Sequence, residues 1–172
     1  NSNVIYESNL GKGNAIRRAF ADIDADVYLM ADGDGTYDVS RAAELVETLL
    51  SKKLDMVVGI RNPDNENAYR QGHLIGNSLF NYLLRNLFGN NFTDIFSGYR
   101  AFSRRFVKSF PALSSGFEIE TEISVHAIQM NAPTMEITTN YFGRIEGSKS
   151  KLNTYSDGLK ILITMVILMK HI

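Results

Sequence analysis

The stretch DVYLMADGDGTYD, residues 26–38, joins a short apolar run to a tight acidic loop. The run VYLM is rich in strand formers, and Gly33 and Gly35 then interrupt it, so the pattern predicts a buried strand that ends in a turn. Like charges this close together raise one another's proton affinity unless a cation compensates them. Loops at strand ends often carry the functional groups of α/β proteins, so we expect a divalent-metal site here. The carboxylates of this loop are those of Asp32, Asp34 and Asp38.

Composition limits the class of protein. With 172 residues, of which 44% are hydrophobic and 22% charged, the chain predicts one globular domain with a substantial core. Its net charge of -1 gives no reason to expect nucleic acid as a partner. The absence of cysteine excludes disulfides, thiolate metal sites and cysteine nucleophiles. The histidines, His73, His126 and His171, lie too far apart for a zinc-type spacing.

Predicted strands and helices alternate along the chain, which favours a mostly parallel sheet. We predict strands at 4–6, 27–30, 56–60 and 134–139, and an aromatic strand within 90–105. We predict helices at 14–21, from a Ser40 cap to residue 53, over 74–88, at 118–129 and from residue 159. The segments 61–71 and 143–152 are predicted as loops.

Three functional interpretations of the acidic loop compete with a solvated turn. A calcium hand is excluded, because Tyr37 stands where that loop needs glycine and Ala43 where it needs glutamate. A phosphatase of the haloacid dehalogenase type would use Asp32 as nucleophile, but the later aspartate pair that such enzymes need is missing from the sequence. In a glycosyltransferase, Asp32 and Asp34 would hold Mg²⁺ or Mn²⁺ against the diphosphate of a nucleotide sugar.

Other charged groups are candidates for phosphate binding or catalysis. The sequence GKG at 11–13 precedes a helix, so its amides and Lys12 could cradle a phosphate, although a plain helix start explains it equally well. Asp94 and Arg100 flank the sequence SGY and either share an acceptor or form a structural ion pair. In the basic loop, Arg144, Ser148, Lys149 and Lys151 suit a diphosphate or lipid phosphate, with solvated charge as the competing interpretation.

Three alternating glutamates occupy the start of the helix predicted at 118–129. Buried carboxylates without partners are costly, so we expect one inward carboxylate, that of Glu120 or Glu122.

Taken in order, six segments resemble the family-two inverting glycosyltransferases, in the branch of dolichol-phosphate mannose synthase and the polyprenyl-phosphate glycosyltransferases. The segments are NLGKGNAIRRAF (9–20), LMADGDGTYD (29–38), VVGIR (57–61), TDIFSGYRAFSRR (93–105), FEIETEI (117–123) and YFGRIEGSKSKL (141–152). The resemblance covers nearly the whole chain. It implies a GT-A fold, which is a Rossmann-like, mostly parallel sheet, together with a nucleotide-diphospho-sugar donor and a dolichyl or undecaprenyl phosphate acceptor.

The resemblance also implies roles for individual residues. Asp32 and Asp34 would bind Mg²⁺ or Mn²⁺, and Asp34 and Asp94 would be the catalytic carboxylates. Asp94 falls where the family often places a base. A phosphate acceptor, however, is already ionised near neutral pH and needs no base, so the alternative is that Asp94 positions the acceptor. The expected donor or phosphate contacts are Lys12, Arg61, Arg70, Arg100, Arg144, Ser148 and Lys149.

The chain departs from the family pattern in two ways. Thr36 stands where relatives with a D-A-D-L-Q motif have glutamine, which leaves the third metal ligand open. The family also begins with two βα units that carry base- and ribose-binding acids, so we expect about sixty residues to be absent at the front. Such a fragment would bind nucleotide weakly, which leaves open whether it is active or a non-catalytic nucleotide-binding module.

The resemblance divides the chain into a partial catalytic domain at 1–153 and a helix at 154–172. Relatives carry amphipathic helices next to the membrane at this point, so residues 159–172 are expected on the cytoplasmic membrane surface, with a core-packed helix as the alternative. The apolar run is about half of the roughly 20 residues that cross a bilayer. A homo-oligomer is left open, as are the identities of the sugar, nucleotide and lipid.

Overall fold

A four-stranded sheet forms the centre of the protein. The computed structural model describes residues 3–62, 80, 82–83, 86, 92–143 and 154–169. The strands are β1 (Val27–Met30), β2 (Met56–Arg61), β3 (Arg100–Ser103) and β4 (Thr134–Thr139), in the spatial order β1-β3-β2-β4. β2 and β4 are parallel, whereas β3 runs antiparallel to both β1 and β2. The sheet is therefore mixed and not mostly parallel: β1, β2 and β4 point the same way, but two of the three described pairings are antiparallel because β3 is reversed.

Helices cover both faces of this sheet. They are α1 (Lys12–Asp22), α2 (Ala42–Ser51), α3 (Arg104–Ser109), α4 (Ile119–Gln129) and α5 (Thr154–Met169), with a 3-10 helix at Val39–Arg41. Successive side chains of a strand point to opposite faces, so Met56 and Val58 pack into one cluster and Val57 into the other. The smaller cluster includes Leu45 and Leu49, which share one face of α2 because they are four residues apart.

The predicted elements at 14–21, 27–30, 56–60, 118–129 and 134–139 are confirmed, with ends within about two residues. The strand predicted at 4–6 is wrong, because residues 3–7 have no regular structure and Val4 and Tyr6 are 94% and 82% exposed. Strand formers do not make a strand unless they have a neighbouring strand to pack against. The helix predicted over 74–88 lies mostly outside the described residues, of which Phe80, Tyr82, Leu83 and Asn86 are helical.

The predicted Ser40 cap is also wrong. The carboxylate of Asp38 accepts the hydrogen bond from the Ser40 amide at 3.1 Å, and the chain then makes a 3-10 turn before α2 begins at Ala42. A carboxylate at the start of a helix satisfies amides that the helix itself leaves unpaired.

The last helix, α5, is apolar on two sides. Ile161 and Met165 are buried in the larger core cluster, and α5 contacts α4. On the other side, Ile163, Val166 and Ile167 are each about half exposed. Among the helices that the structure describes, none is both long enough and apolar enough to cross a bilayer.

Candidate functional site

One edge of the sheet gathers the candidate residues. Because β1, β2 and β4 point the same way, their carboxyl ends meet at this edge, and the reversed strand β3 begins there. Arg100, the first residue of β3, is in register with both Met30 and Val58. The loop after β1, the end of β2 and the loop before β3 therefore lie together, as expected for a site in an α/β sheet.

The acidic loop after β1 presents two carboxylates. Asp32 and Asp34 are both half-buried, whereas Gly33 between them and Gly35 after them are exposed. Thr36 donates two hydrogen bonds to Oδ1 of Asp34, from its amide at 3.2 Å and from its hydroxyl at 2.6 Å. The residue at the glutamine position of the motif thus orients the second carboxylate. Asp38 serves the start of the following helix instead.

Lys12 lies between two carboxylates. Its Nζ is 2.5 Å from Oδ1 of Asp32 and 2.5 Å from Oε1 of Glu120. Burial of the ammonium lowers the pKa of Lys12, but Glu120 and Asp32 outweigh burial and the net pKa is raised. Burial raises the pKa of Glu120, and Lys12 opposes this only in part. Lys12 is therefore a charged group that connects α1, the acidic loop and α4.

The glycines of the GKG sequence allow close packing of two backbone segments. A Cβ at Gly11 would lie 2.1 Å from the carbonyl oxygen of Ser115, and one at Gly13 would lie 2.2 Å from that of Ser114. Gly11 also has a positive φ of 127°, which favours glycine. The segment thus seats α1 against residues 114–115, which gives the two glycines a packing role at the start of the helix.

All three alternating glutamates are buried, which corrects the expectation of one inward carboxylate. Glu122 accepts hydrogen bonds from the amides of Leu113 and Ser114, each at 2.7 Å. Glu118 accepts from the Gly116 amide at 2.9 Å. The start of α4 is held against loop 113–116 in this way, since the loop amides supply the partners that buried carboxylates need.

Gly98 lies directly against the lysine and the aspartate. A Cβ at this position would lie 2.8 Å from Oδ2 of Asp32 and 2.8 Å from Nζ of Lys12. The Gly98 amide donates to Oη of Tyr37 at 2.7 Å. Burial raises the pKa of this phenol, so Tyr37 stays neutral and acts as an acceptor. A side chain at residue 98 would displace the ion pair.

A second ion pair lies at the end of β2. Arg61 donates from Nε and Nη2 to the two carboxylate oxygens of Asp94. Burial raises the pKa of Asp94, but the Arg61 guanidinium outweighs burial and holds the pKa below its usual value. The Cζ atom of Arg61 is also 5.4 Å from the ring centroid of Tyr141. Asp94 is therefore paired with Arg61, and the ion pair of Asp94 with Arg100, one of the two alternatives that the sequence left open, does not form.

Arg100 is fully buried in the core beneath this edge. Its guanidinium donates to the carbonyls of Ser97 and Ile95 and to the hydroxyl of Ser124. Burial lowers the pKa of Arg100. The side chain supports the loop that carries Asp94 and Gly98, which corrects its predicted contact with a donor phosphate.

The structure brings together the predicted residues Lys12, Asp32 and Asp34 on one side and Arg61 and Asp94 on the other. The remaining predicted contacts, Arg70, Arg144, Ser148 and Lys149, lie outside the described residues. Gly98, Tyr37 and Glu120 are not among the site residues predicted from the sequence. For Glu120 a signal existed in the run of alternating glutamates, whereas Gly98 and Tyr37 become evident only from contacts between distant segments.

The donor set suits a hard divalent cation. Among the described residues, no group of three or more His, Cys, Asp or Glu side chains could hold a metal ion. Magnesium sites, however, commonly use one or two carboxylates completed by water and substrate phosphates. Asp32 and Asp34 provide such a pair at a half-buried loop, so the residues present fit a metal that binds together with a diphosphate.

Two known proteins are similar to this chain over most of its length. Glycosyltransferase AglJ of Haloferax volcanii is 36% identical over 159 residues, which cover 91% of this chain and 52% of that protein. The low-salt glycan biosynthesis hexosyltransferase Agl6 of the same organism is 28% identical over 95% of this chain and 40% of its own length. The chain thus spans about half the length, or less, of these two relatives.

Solved structures show the fold. Glucosyl-3-phosphoglycerate synthase of Mycobacterium tuberculosis superposes with a TM-score of 0.75 at 17% identity, covering 96% of this chain and 57% of that one. The shared architecture is the predicted GT-A fold, in which the acidic loop follows a sheet strand. That synthase has been crystallised in complex with Mn²⁺ and uridine-diphosphate-glucose.

The family model described as Glycosyl transferase family 2 matches residues 2–110. This range includes Lys12, the acidic loop, Arg61 and Asp94, so the match covers the charged groups at the sheet edge except Glu120. The match includes the DGDGT loop and so favours the glycosyltransferase interpretation over the phosphatase. The chain belongs to glycosyl transferase family 2.

Proposed function

We propose that this chain forms part of an enzyme that transfers one sugar, with inversion, from a nucleotide-diphospho-sugar to a polyprenyl phosphate. The observation that carries the proposal is the pair Asp32 and Asp34 at the carboxyl end of β1, with the Lys12 ammonium against Asp32 and the Arg61–Asp94 pair at the same sheet edge. Carboxylates and cations at one sheet edge suit a ligand that combines a metal with a diphosphate.

Asp32 and Asp34 would hold Mg²⁺ or Mn²⁺. The bound cation would stabilise the negative charge that grows on the leaving nucleoside diphosphate. The complexes of the mycobacterial synthase with Mn²⁺ and uridine-diphosphate-glucose support this assignment by analogy of fold. Thr36 would keep the Asp34 carboxylate in one orientation through its two hydrogen bonds.

Asp94 would position groups and not remove a proton. Its ion pair with Arg61 keeps the pKa low, and a carboxylate with a low pKa is a weak base. A lipid phosphate already carries negative charge near neutral pH, so it can attack the sugar without prior deprotonation. The Asp94–Arg61 pair would then hold the end of β2 and the loop before β3 in place beside the acceptor.

A lipid acceptor also fits the surface of α5. Its exposed side carries Leu159, Ile163, Val166 and Ile167. An apolar helix face of this kind can lie in a membrane interface. We propose that this face rests on the cytoplasmic surface of the membrane, where a polyprenyl phosphate presents its head group.

Sugar transfer to dolichyl and undecaprenyl phosphate in the presence of Mn²⁺ tests the proposal. We expect Asp32→Asn and Asp34→Asn each to reduce the appearance of lipid-linked sugar at least about a hundredfold. Asp38→Asn is the matched control, because Asp38 serves the start of the 3-10 helix, and it should retain most of the activity. Transfer that persists in both variants, or that needs no divalent metal, would contradict the proposal.

A further inference from the structure

The contact between Lys12 and Asp32 bears on how a metal reaches the site. The ammonium lies 2.5 Å from Oδ1 of Asp32. The other oxygen, Oδ2, faces Gly98, since a Cβ there would come within 2.8 Å of it. Both carboxylate oxygens are thus turned toward the lysine and the glycine. A divalent cation at Asp32 would therefore meet a carboxylate that already has a cation as its partner.

Lys12 is firmly held in this position. Gly11 and Gly13 on either side of it pack against the backbone of residues 114–115. Its side chain is only 16% exposed, and the side chain of Glu120, the second partner of the ammonium, is 6% exposed. A buried ammonium needs a partner, and Glu120 would remain as that partner when Asp32 turns to another cation.

We propose that Lys12 is a positioning residue that occupies Asp32 as an internal cation and yields this carboxylate to the metal, while Glu120 retains the lysine. This inference rests on the proposed function, because it assumes that Asp32 is a metal ligand. Like charges repel, and repulsion is strong at a half-buried position. The lysine therefore lowers the affinity for a bare divalent ion.

A bound diphosphate would raise the affinity of the site for the metal. Its negative charge would offset the repulsion between the ammonium and the metal, and Lys12 is close enough to Asp32 to contact a ligand that shares the metal. Two ligands that each improve the binding of the other are coupled, and the coupling is reciprocal. Lys12 would in this way make metal binding depend on the sugar donor. Binding of the metal when no donor is present would be disfavoured.

Titration of the 172-residue chain with Mn²⁺, followed by the electron paramagnetic resonance signal of free Mn²⁺, tests the inference without an activity assay. We expect Lys12→Met to bind Mn²⁺ about tenfold more tightly than the unaltered chain. Lys52→Met is the matched control, since it removes the same charge from an exposed position at the end of α2. Its affinity should stay within about twofold of the unaltered chain.

A second variant separates the Lys12 contact from net charge and from folding. In Lys12→Met, Glu120 is left buried without the lysine, which endangers folding. The double variant Lys12→Met with Glu120→Gln removes one positive and one negative charge, so the net charge is unchanged. We expect the double variant still to bind Mn²⁺ more tightly than the unaltered chain. Equal or weaker binding in the folded double variant would overturn the inference.

Asp32→Asn distinguishes the two proposals. If Asp32→Asn abolishes Mn²⁺ binding and Lys12→Met leaves it unchanged, the inference about Lys12 is wrong and the proposed metal site stands. If the unaltered chain binds Mn²⁺ and Asp32→Asn binds it equally, the metal site itself is wrong and both proposals fail. If none of the proteins binds Mn²⁺, the inference about Lys12 is wrong, because removal of the lysine should open Asp32 to the bare ion. Tighter binding in Lys12→Met that disappears when Asp32→Asn is added supports both.

Discussion

The guanidinium of Arg61 donates two hydrogen bonds to the carboxylate of Asp94, from Nε at 2.7 Å and from Nη2 at 2.6 Å. Arg61 ends β2, and Asp94 lies in the loop that leads to β3, so the pair connects two segments that form the sheet edge. Their side chains are 14% and 7% exposed. A buried bidentate pair of this kind gives geometric specificity, and breaking it by removing one partner is costly.

We therefore expect Arg61→Ala to lower the free energy of unfolding by about 3 kcal/mol. Arg61→Lys should recover only part of this loss, because one ammonium cannot reproduce the bidentate geometry. Urea unfolding at pH 7 measures both. Arg104→Ala is the control, since Arg104 pairs with Asp24 at an exposed position and should cost less than about 1 kcal/mol. Equal losses for Arg61→Ala and Arg104→Ala would contradict this prediction.

A methyl group at residue 98 should disturb the site more than the fold. The Cβ of Gly98→Ala would come within 2.8 Å of both Asp32 and Lys12, and these side-chain atoms can move whereas backbone atoms cannot. We expect sugar transfer to fall at least about tenfold, with a change in Tm of only a few degrees. Thermal unfolding followed by circular dichroism measures the Tm.

Gly143→Ala is a suitable control for this substitution. A Cβ at Gly143 meets nothing within 4 Å, and the residue has no positive φ. Activity that is equal in the two alanine variants would show that Gly98 does not shape the site.

Stability at acidic pH should depend on Asp55, which lies outside the site. Its carboxylate is buried and accepts hydrogen bonds from the Ser103 hydroxyl at 2.7 Å and from Arg105. Burial raises the pKa of Asp55, but Arg105 and Ser103 outweigh burial and the pKa is below the ordinary 3.8. A depressed pKa in the folded state means that the stabilisation is present above pH 3.8 and is lost as pH falls through the folded value.

Asp55→Asn should then cost about 1–3 kcal/mol in the free energy of unfolding at pH 7. The difference from the unaltered chain should shrink as pH falls below about 4, where the unfolded state begins to bind a proton, and should be lost below the folded pKa, where Asp55 is protonated in both states. Urea unfolding at a series of pH values between about 7 and 2.5 measures this difference, with exposed Asp24→Asn as the control. A difference that is constant with pH would be inconsistent with the assigned pKa direction.

The two sides of α5 should respond differently to substitution. Ile163→Gln with Ile167→Gln changes only the half-exposed side, so stability should change by less than about 1 kcal/mol. Association with vesicles that contain anionic phospholipid should fall at least about fivefold, since the double variant removes apolar surface from the proposed contact. Co-sedimentation of the chain with the vesicles measures this association.

Met165→Ala is the comparison for the buried side of α5. Met165 is fully buried, so its truncation should cost about 2–5 kcal/mol in the free energy of unfolding. Vesicle binding by the folded Met165→Ala protein should be unchanged. If the double glutamine variant binds vesicles as the unaltered chain does, the exposed side is not the membrane contact.

The sequence predicted the elements whose stabilisation is local or periodic. The run VYLM, interrupted by the following glycines, identified β1, and the helix predicted up to residue 53 corresponds to α2. The ordered motifs from residue 9 to residue 152 predicted the family and the GT-A fold, which the comparisons confirmed. The strand predicted at 4–6 failed because propensity cannot supply a partner strand.

The reversed direction of β3 and its place between β1 and β2 were not predictable from periodicity. A strand has the same alternation in either direction, so only its pairing determines its orientation. The same limit applies to Arg61, whose partner could be Asp94 or a ligand when only the sequence is known. The structure decided this by placing the end of β2 beside the loop that precedes β3.

The sequence by itself determined the acidic loop, the order of most elements and the family, because these follow from local patterns and from the spacing of motifs along the chain. Tertiary structure alone decided that Lys12 joins Asp32 to Glu120, a residue 108 positions away from the lysine, and that Arg100 is buried in the core and not at a ligand. The physical reason is that a charged side chain that is buried on folding needs a partner within hydrogen-bonding distance. The spacing of residues along the chain does not predict which residue that partner will be.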